Sequence, residues 1–525
     1  MSLIQSLAQS GRFADLKWPT FSDVAPAVSQ FYSAGKWTPV WTSGGQPTPQ
    51  AAEMIDLFRG AEFKGLRRED YDASRWAGAI AKLKPATATP LDDDVARFDL
   101  AMTVCAMRYF SALHNGRINP NHFKFALTSG PAPLDLAGFI RGKIINGADL
   151  PSAAASVEPH FAGYLRAEDA LPQYLKLAQA GDGAPVPMPA VSVRPSDNYA
   201  GLPQLDARLR LLGDLPANAP PPAGAVYQGA LVTAVKHFQD RHGLATDGVL
   251  GKGTVAAINV PLHQRVVELD LTLERYRWIP PTFPQPPIVV NIPEFRLRTL
   301  RRQPGGFISM AVVVGRAMRT QTPVFADYMK YLVFRPYWLV PMSIQFNELV
   351  PKTRRDPGYL AAHGYQVVDG SGNVITDGVV SDDVLSGLRS GAYQIRQKPG
   401  PKNALGLVKF IFPNRYNVYL HSTPSPELFS RARRDFSHGC IRVAEPAKLA
   451  AWVLRDDPNW TPAKIDAAMN GSQTIQVNLK NPIPVLILYS TAVVTPEGSV
   501  HFYDDIYGYD KPLLAAIDSG PPYPS

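Results

Sequence analysis

Cysteine is nearly absent. Cys105 and Cys440 are the only two in 525 residues, so neither a disulfide-stapled scaffold nor a clustered-thiolate zinc site can organise the fold. Long apolar runs are missing too: nothing approaches the ~18 uninterrupted apolar residues of a membrane helix. Met1 to Phe13 carries Leu3, Ile4 and Leu7 without a continuous apolar core or a preceding basic residue, so no signal peptide is read there. The expectation is a soluble chain, with any export signal removed. Charge of one sign is also scarce. Lys plus Arg is 53 and Asp plus Glu is 45, a net +8, which favours an anionic polymer or surface as partner without naming nucleic acid.

Proline, by contrast, is abundant. Its 50 residues are about twice the usual ~5% and imply rigid loops and short helices. Apolar residues at 45% and charged residues at 19% are ordinary globular usage, so wholesale disorder and a fibrous architecture are both excluded. At roughly 100–200 residues per domain, the length implies two to four domains.

From Pro26 to about Leu177 the pattern is helical, with amphipathic stretches at 51–59, 91–113 and 171–178 between Pro and Gly clusters. Cys105 falls in the second stretch, near Met102, Met107 and Tyr109, and reads as a small buried hydrophobe. Residues 179–203, dense in Gly, Pro and Ala, read as a linker. Leu205, Leu209 and Leu212, then Leu231, Val235 and Phe238, follow helical spacing. Asp247-Gly248 marks a tight turn, and Thr254 opens a third short helix with Val255 and Ile258. The string AVKHFQDRHGLATDGVLGKGTVAAIN within this stretch resembles a peptidoglycan-binding module, over Leu202 to Val260. Phe238-Gln239, His242-Gly243-Leu244, Gly251 and Thr254 carry the likeness, and no sugar contacts are assigned to them.

One more helix, His263 to Trp278, has Val266, Leu269, Leu273 and Tyr276 on a face suited to packing back on the N-terminal helices. The small module is then an insertion. From Pro286 the period changes to two, with strand-like runs at 288–292, 310–314, 331–334, 408–412, 417–421 and 485–488.

The chemistry concentrates between Asn417 and Trp452. In an extended 417–421, Asn417, Tyr419 and His421 share one face, and Pro424 and Pro426 stop the strand. Ser437-His438-Gly439-Cys440 follows, Gly439 letting the backbone bend close to the thiol. A thiol beside an imidazole is the minimal nucleophile-and-base pair: a free thiol near pKa ~8.5 is lowered by a neighbouring imidazolium. Backbone N–H groups around Gly439 and Cys440 are suited to a developing oxyanion. Three other readings stay open on the residues alone. Cys440 is an inert buried thiol; or His421, His438 and Cys440 hold zinc, one ligand short of a structural site; or Cys440 pairs with Cys105.

The string from His421 to Val443 resembles the signature of the L,D-transpeptidase (YkuD-type) catalytic domain: a histidine, a short spacer, Ser/Thr-His-Gly-Cys, then an arginine. More closely, the chain resembles the large periplasmic L,D-transpeptidases that join a helical scaffold, a peptidoglycan-binding module and this domain. VVVGRAMRTQTPVF (312–325), PKTRRDPGYL (351–360), PGPKNALGLVKFIFPN (399–414) and IYGYDKPL (506–513) support the likeness. It implies a multidomain α+β chain: a helical scaffold over 1–200 completed by helix 263–280, a three-helix peptidoglycan-binding-like module over 201–262, and a mainly-β catalytic domain over 285–525 with a helical lid at about 341–402.

The resemblance also implies roles. Cys440 is the nucleophile and His421 the general base, His438 orients the pair, and Gly439 lends an oxyanion-hole N–H. Arg442, Tyr419 and Ser437 meet substrate. The reaction is acyl transfer from a peptidoglycan stem tetrapeptide, releasing D-alanine, to an amine of a second stem. No metal or organic cofactor is implied. Stem peptides and glycan are the partners and carbapenem β-lactams the inhibitors, with no nucleic acid and no transmembrane segment, in the periplasm. Two alternatives remain: a thiol L,D-carboxypeptidase that uses water as acceptor, and a non-catalytic peptidoglycan-binding scaffold. One residue departs from the large relatives. Ser422 stands where many carry Asp after the base histidine, so orientation of His421 falls to a hydroxyl or a backbone carbonyl.

Overall fold

A computed structural model of the chain describes residues 2–83, 92–127, 131–299 and 307–524. They form two compact units, Met1–Thr282 together with Tyr489–Ser525, and Phe283–Leu488. Among the described residues no helix is long and apolar enough to cross a membrane.

The first unit is mainly helical, built around α1 (Asp92–Asn115), α2 (Ala162–Ala180) and α3 (Leu262–Arg277). Trp41, Phe58, Trp76 and Tyr109 fill its first core with Cys105, which is 1% exposed and carries a free thiol, as does Cys440. The Cys105–Cys440 pairing is therefore not made. Buried Asp99 on α1 accepts the Val40 and Trp41 N–H groups (2.7 and 2.6 Å) and the Tyr32 hydroxyl (2.6 Å), tying a loop to the helix. Leu269 and Leu273 of α3 bury with Tyr164 and Leu171 of α2. Glu274, also on α3, accepts the N–H groups of Arg117 (2.5 Å) and Ile118 (2.9 Å) and the Arg117 Nε–H (3.0 Å).

Three helices of the small module, Leu202–Leu211, Ala230–Arg241 and Lys252–Ile258, enclose Leu205, Leu209, Val235, Phe238, Val255 and Ile258. The residues behind the sequence likeness are structural. Gln239 Oε1 accepts the Gly248 N–H (2.8 Å) and its Nε2 donates to Asp247 (2.9 Å), so one buried amide fixes the turn. Thr254 does not open its helix. Gly251 holds the N-cap position, and the Thr254 hydroxyl donates to the Val249 carbonyl (3.0 Å).

Tyr489–Ser525 was expected in the catalytic domain, but it belongs to the first unit. Its hairpin, Ala492–Val494 against Val500–Phe502, buries Ala492, Val494, Val500 and Phe502 in the cluster formed by α2 and α3. The alternating pattern marks a buried face without saying which core receives it.

Among its described residues the second unit contains a nine-stranded sheet: β1 (Ile288–Asn291), β2 (Arg296–Thr299), β3 (Ile308–Gly315), β4 (Phe325–Phe334), β5 (Val408–Ile411), β6 (Leu420–His421), β7 (Asp435–Ser437), β8 (Ile441–Val443) and β9 (Ile475–Leu488). Their order is β7-β3-β8-β6-β5-β4-β9-β1-β2, and β2 also pairs with β3, which closes the sheet on itself. Closure removes the open edges of the other eight strands, leaving β7 paired on one side only. Between β4 and β5 the expected helical lid adds a four-stranded sheet (338–339, 394–397, 365–368, 374–376) to its short helices. It has its own core of Val340, Leu349, Leu360, Val367, Leu388 and Ile395.

Arg117 and Glu274 are both sealed from solvent, with side chains 1% and 0% exposed. Removing one partner leaves an uncompensated buried charge and two unsatisfied backbone donors. Glu274→Ala is expected to destabilise the first unit by about 3–5 kcal/mol, measured by chemical denaturation. A change below ~1 kcal/mol would contradict this role.

Candidate active site

The site is set by strand register. β6 and β8 run parallel, pairing Leu420 with Ile441 and His421 with Arg442. One step back, the Ile441 N–H donates to the Tyr419 carbonyl (3.0 Å), and Tyr419 lies beside Cys440. On its other side β6 pairs with β5, placing Lys409 against His421. Paired residues of neighbouring strands point to the same face, so Lys409, His421 and Arg442 form one row, with Tyr419 and Cys440 next to it.

The expected strand over 417–421 is shorter, only Leu420–His421. Asn414 is the reason. Its Oδ1 accepts the N–H groups of Tyr416 (3.0 Å) and Val418 (3.2 Å), and its Nδ2 donates to the Phe412 and Val418 carbonyls (2.6 and 2.7 Å). This winds the chain into a turn with Asn417 at φ 54°. Asn417 thus leaves the strand face, and its carbonyl lies 3.6 Å from the Cys440 Sγ.

The nucleophile turn is braced from inside. The Ser437 Oγ donates to the Cys440 carbonyl (2.5 Å) and accepts the Gly439 N–H (3.1 Å). Two residues that sequence reasoning missed hold the same turn. Thr322 donates to the Gly439 carbonyl (2.8 Å) and accepts the Gly315 N–H (2.9 Å), while Thr320 donates to the Ser437 carbonyl (2.9 Å). Gly439 sits at φ 111°, a conformation that favours glycine. A Cβ on Gly315 would lie 2.0 Å from the Thr320 carbonyl, so that position admits no side chain.

Two expectations are corrected here. The Gly439 N–H is engaged by Ser437 and is not aimed at an oxyanion; the turn leaves the Cys440 N–H out of its bonds. Ser437 is 3% exposed and spends its hydroxyl inside the turn, so it is a brace and does not face substrate.

His421 is 4% exposed, and its Nδ1–H donates to the Ser422 carbonyl at 2.5 Å. That bond fixes the tautomer and leaves Nε2 as the basic nitrogen. Burial first, then the Arg442 guanidinium and Lys409, push the imidazole down to about 3, against the pull of the Ser422 and Leu405 carbonyls. Burial likewise raises the Cys440 thiol, against the N–H and hydroxyl of Tyr419 and the charge of Arg442, which favour the thiolate. The resting pair is neutral thiol and neutral imidazole. Burial of the imidazole and partial burial of the thiol both disfavour the expected imidazolium-lowered thiol.

Tyr419 donates its hydroxyl to the Cys440 sulfur and accepts one hydrogen bond from the Trp338 indole. Neither contact was legible from an aromatic at strand spacing. His438 turns outward, its Nε2 2.7 Å from Glu348 Oε1. Arg442 borders a cavity of about 390 Å³, shared with Lys402, His363, Gln397, Tyr365 and Ser425 among others. Its Nε is sealed from solvent with no hydrogen-bond partner among the described residues.

A thiol and an oriented imidazole on one face of a closed sheet are the working parts of a cysteine-dependent enzyme. Residues 286–465 match the L,D-transpeptidase catalytic domain family (YkuD), residues 26–171 a "Scaffold domain" and residues 199–258 a "Putative peptidoglycan binding domain". A Haemophilus influenzae protein described as "Putative L,D-transpeptidase" is 33% identical over 233 residues, 44% of this chain and 46% of that protein. The alignment thus spans less than half of the relative's length. The crystal structure of an L,D-transpeptidase (residues 123–326) from Xylanimonas cellulosilytica aligns over 58% of this chain and 100% of that one, at 16% identity and a TM-score of 0.17.

The neutral resting pair has a measurable signature. Because the thiol is raised and the imidazole lowered, alkylation of Cys440 by iodoacetamide should climb about tenfold per pH unit through neutrality, with no step between pH 5 and 7. It should level only above the ordinary ~8.5 thiol range. Tyr419→Phe removes a hydrogen bond to the sulfur anion and moves the midpoint higher still. A plateau reached below pH 7 would mean a preformed thiolate–imidazolium pair.

Proposed function

We propose that the chain is a cell-wall L,D-transpeptidase in which Cys440 carries the acyl group and His421 moves the proton. The observation that carries this reading is the Nδ1–H bond of His421 to the Ser422 carbonyl (2.5 Å), which presents Nε2 on the strand face that Cys440 shares. In the first half-reaction His421 Nε2 takes the thiol proton as sulfur attacks the carbonyl at the L-centre of the diamino acid in a stem tetrapeptide. The oxyanion is met by the Cys440 N–H, which the Ser437 turn leaves unused. The C–N bond breaks, His421 returns the proton to the departing D-alanine amine, and a thioester remains. An amine of a second stem then attacks the thioester, gives a proton to His421 and releases the thiol. The product is a crosslink between two diamino acids.

In this reading segment 341–402 is a lid over the thiol. Glu348 on it meets His438, two residues from the nucleophile, so His438 ties the lid to the catalytic turn. The envelope side of the cytoplasmic membrane is the site of action, since stem peptides are the substrate and the 199–258 module is of the peptidoglycan-binding type.

Intact-mass spectrometry after incubation with a carbapenem should show a covalent adduct that Cys440→Ala abolishes and His421→Ala slows about 10²–10⁴-fold. Incorporation of a labelled acceptor amine into tetrapeptide-derived product separates transfer from hydrolysis. No adduct on reduced wild-type protein would overturn the assignment. For the lid, Glu348→Gln should raise the rate at which a bulky thiol reagent labels Cys440 by up to about fivefold, the equivalent of the ~1 kcal/mol of an exposed ion pair. An unchanged rate would remove His438 from that role.

A further inference from the structure

The row Lys409–His421–Arg442 is unusual for what flanks its imidazole: a cation on each side, set there by cross-strand register. None of the residues lining the adjoining cavity of about 390 Å³ is acidic, and two of them, Lys402 and Arg442, are cationic. Arg442 keeps a buried Nε with no partner among the described residues. Lys402 is exposed, but a half-buried guanidinium such as that of Arg442 is costly unless an anion completes it. A concave, acid-free pocket holding two cations is built to receive one.

We propose that this cavity is a carboxylate subsite for the donor stem, in which Lys402 and Arg442 hold a free carboxylate of the peptide and so bring His421 into its working state. The proposal rests on the transpeptidase reading and deepens it. Arg442 is two residues beyond Cys440 on the same strand face, about 7 Å along the chain, within reach of either carboxylate near the reacting carbonyl. One is the terminal carboxylate of the departing D-alanine, the other the side-chain carboxylate of the diamino acid where that residue carries one.

Anion binding has a chemical consequence. The groups that act on His421 are Lys409 from β5, Arg442 from β8 and the Ser422 and Leu405 carbonyls, with the Tyr419 ring 5.8 Å away on its own strand; Arg316, Cys440 and Glu427 stand near Arg442. After burial, the Arg442 charge is the largest cause of the low basicity of His421. A carboxylate on Arg442 cancels that charge, so the imidazole gains basicity only when a donor is seated. The thiol therefore stays protonated in the empty site and is activated by the correct substrate.

The test uses the full chain and three synthetic donors: the stem tetrapeptide, the same peptide with a C-terminal amide, and the same peptide with the side-chain carboxyl amidated. One amidated donor should show KM raised roughly tenfold or more in wild type, which identifies the carboxylate that is bound. Lys402→Ala should raise KM for the unmodified donor by a similar factor and add little for that amidated donor, and Lys402→Arg should restore it. The acid limb of kcat should lie at higher pH than that of kcat/KM for the unmodified donor, and the two should coincide for the amidated one. Equal KM for all three donors in wild type would overturn the subsite while leaving the transpeptidase reading intact. Coincident acid limbs for the unmodified donor would overturn its effect on His421. A wild-type enzyme inert toward every donor would overturn the underlying reading, and the subsite with it.

Discussion

The parallel pairing of β6 with β8 is the constraint on which the site depends. It involves four residues, Leu420 with Ile441 and His421 with Arg442, and everything chemical is referenced to it. A slip of one residue would send His421 to the opposite face and exchange its neighbours. The register is held from both ends. Leu420 and Ile441 are fully buried, so the hydrophobic face has one solution. Beyond them Asn414 winds the chain away from the sheet, and the Ser437 hydroxyl closes the turn before Cys440. Side chains that never touch a substrate thus fix where the thiol sits.

Burial sets the electrostatics. Taking a thiol and an imidazole out of water together favours both neutral forms, and the two cations beside His421 add to that on the imidazole while stabilising a sulfur anion. The site is therefore poised against the resting ion pair, while in the proposed reaction negative charge on sulfur and oxygen would meet Arg442, the Tyr419 hydroxyl and a backbone N–H. Such an arrangement keeps a nucleophilic cysteine quiet toward adventitious electrophiles. The Nδ1 bond to the Ser422 carbonyl does the orienting work that a carboxylate would do, without adding a negative charge that would raise the basicity of the imidazole at rest.

Much of this was legible in the sequence because it is local. Helical spacing at 51–59, 231–238 and 263–278, and period two from 286 onward, report buried faces directly, and His421 and Cys440 stand out by residue type and motif. The misses are non-local. Lys409 joins the site only through the β5–β6 register, which no spacing in the chain encodes. Ser437 was read as facing substrate because the competition of a serine hydroxyl for nearby backbone groups depends on the turn it sits in. The segment after Leu488 was expected in the catalytic domain, but its hairpin buries alternate residues in the core of the helical unit, since a pattern specifies a face and not its partner. Segment 341–402 was read as turns and short helices because its strands are only two to four residues long, below the length at which alternation can be recognised.

Charge is the last link between fold and chemistry. The +8 of the whole chain looks mild, yet Phe283–Leu488 contains 25 Lys and Arg against 14 Asp and Glu, so the remainder of the chain is slightly acidic. Surface arginines far from a site steer anions only weakly at physiological salt, where charges are screened beyond ~8 Å. The cations beside His421 are different, because they are partly withdrawn from water and face few acids. Lys409 is lowered by burial alone, with no acid among its causes. Keeping such a residue costs folding stability, and a sheet built only to fold would place an aliphatic side chain there. Its place next to His421, in a row completed by Arg442, accords with the proposed anionic substrate.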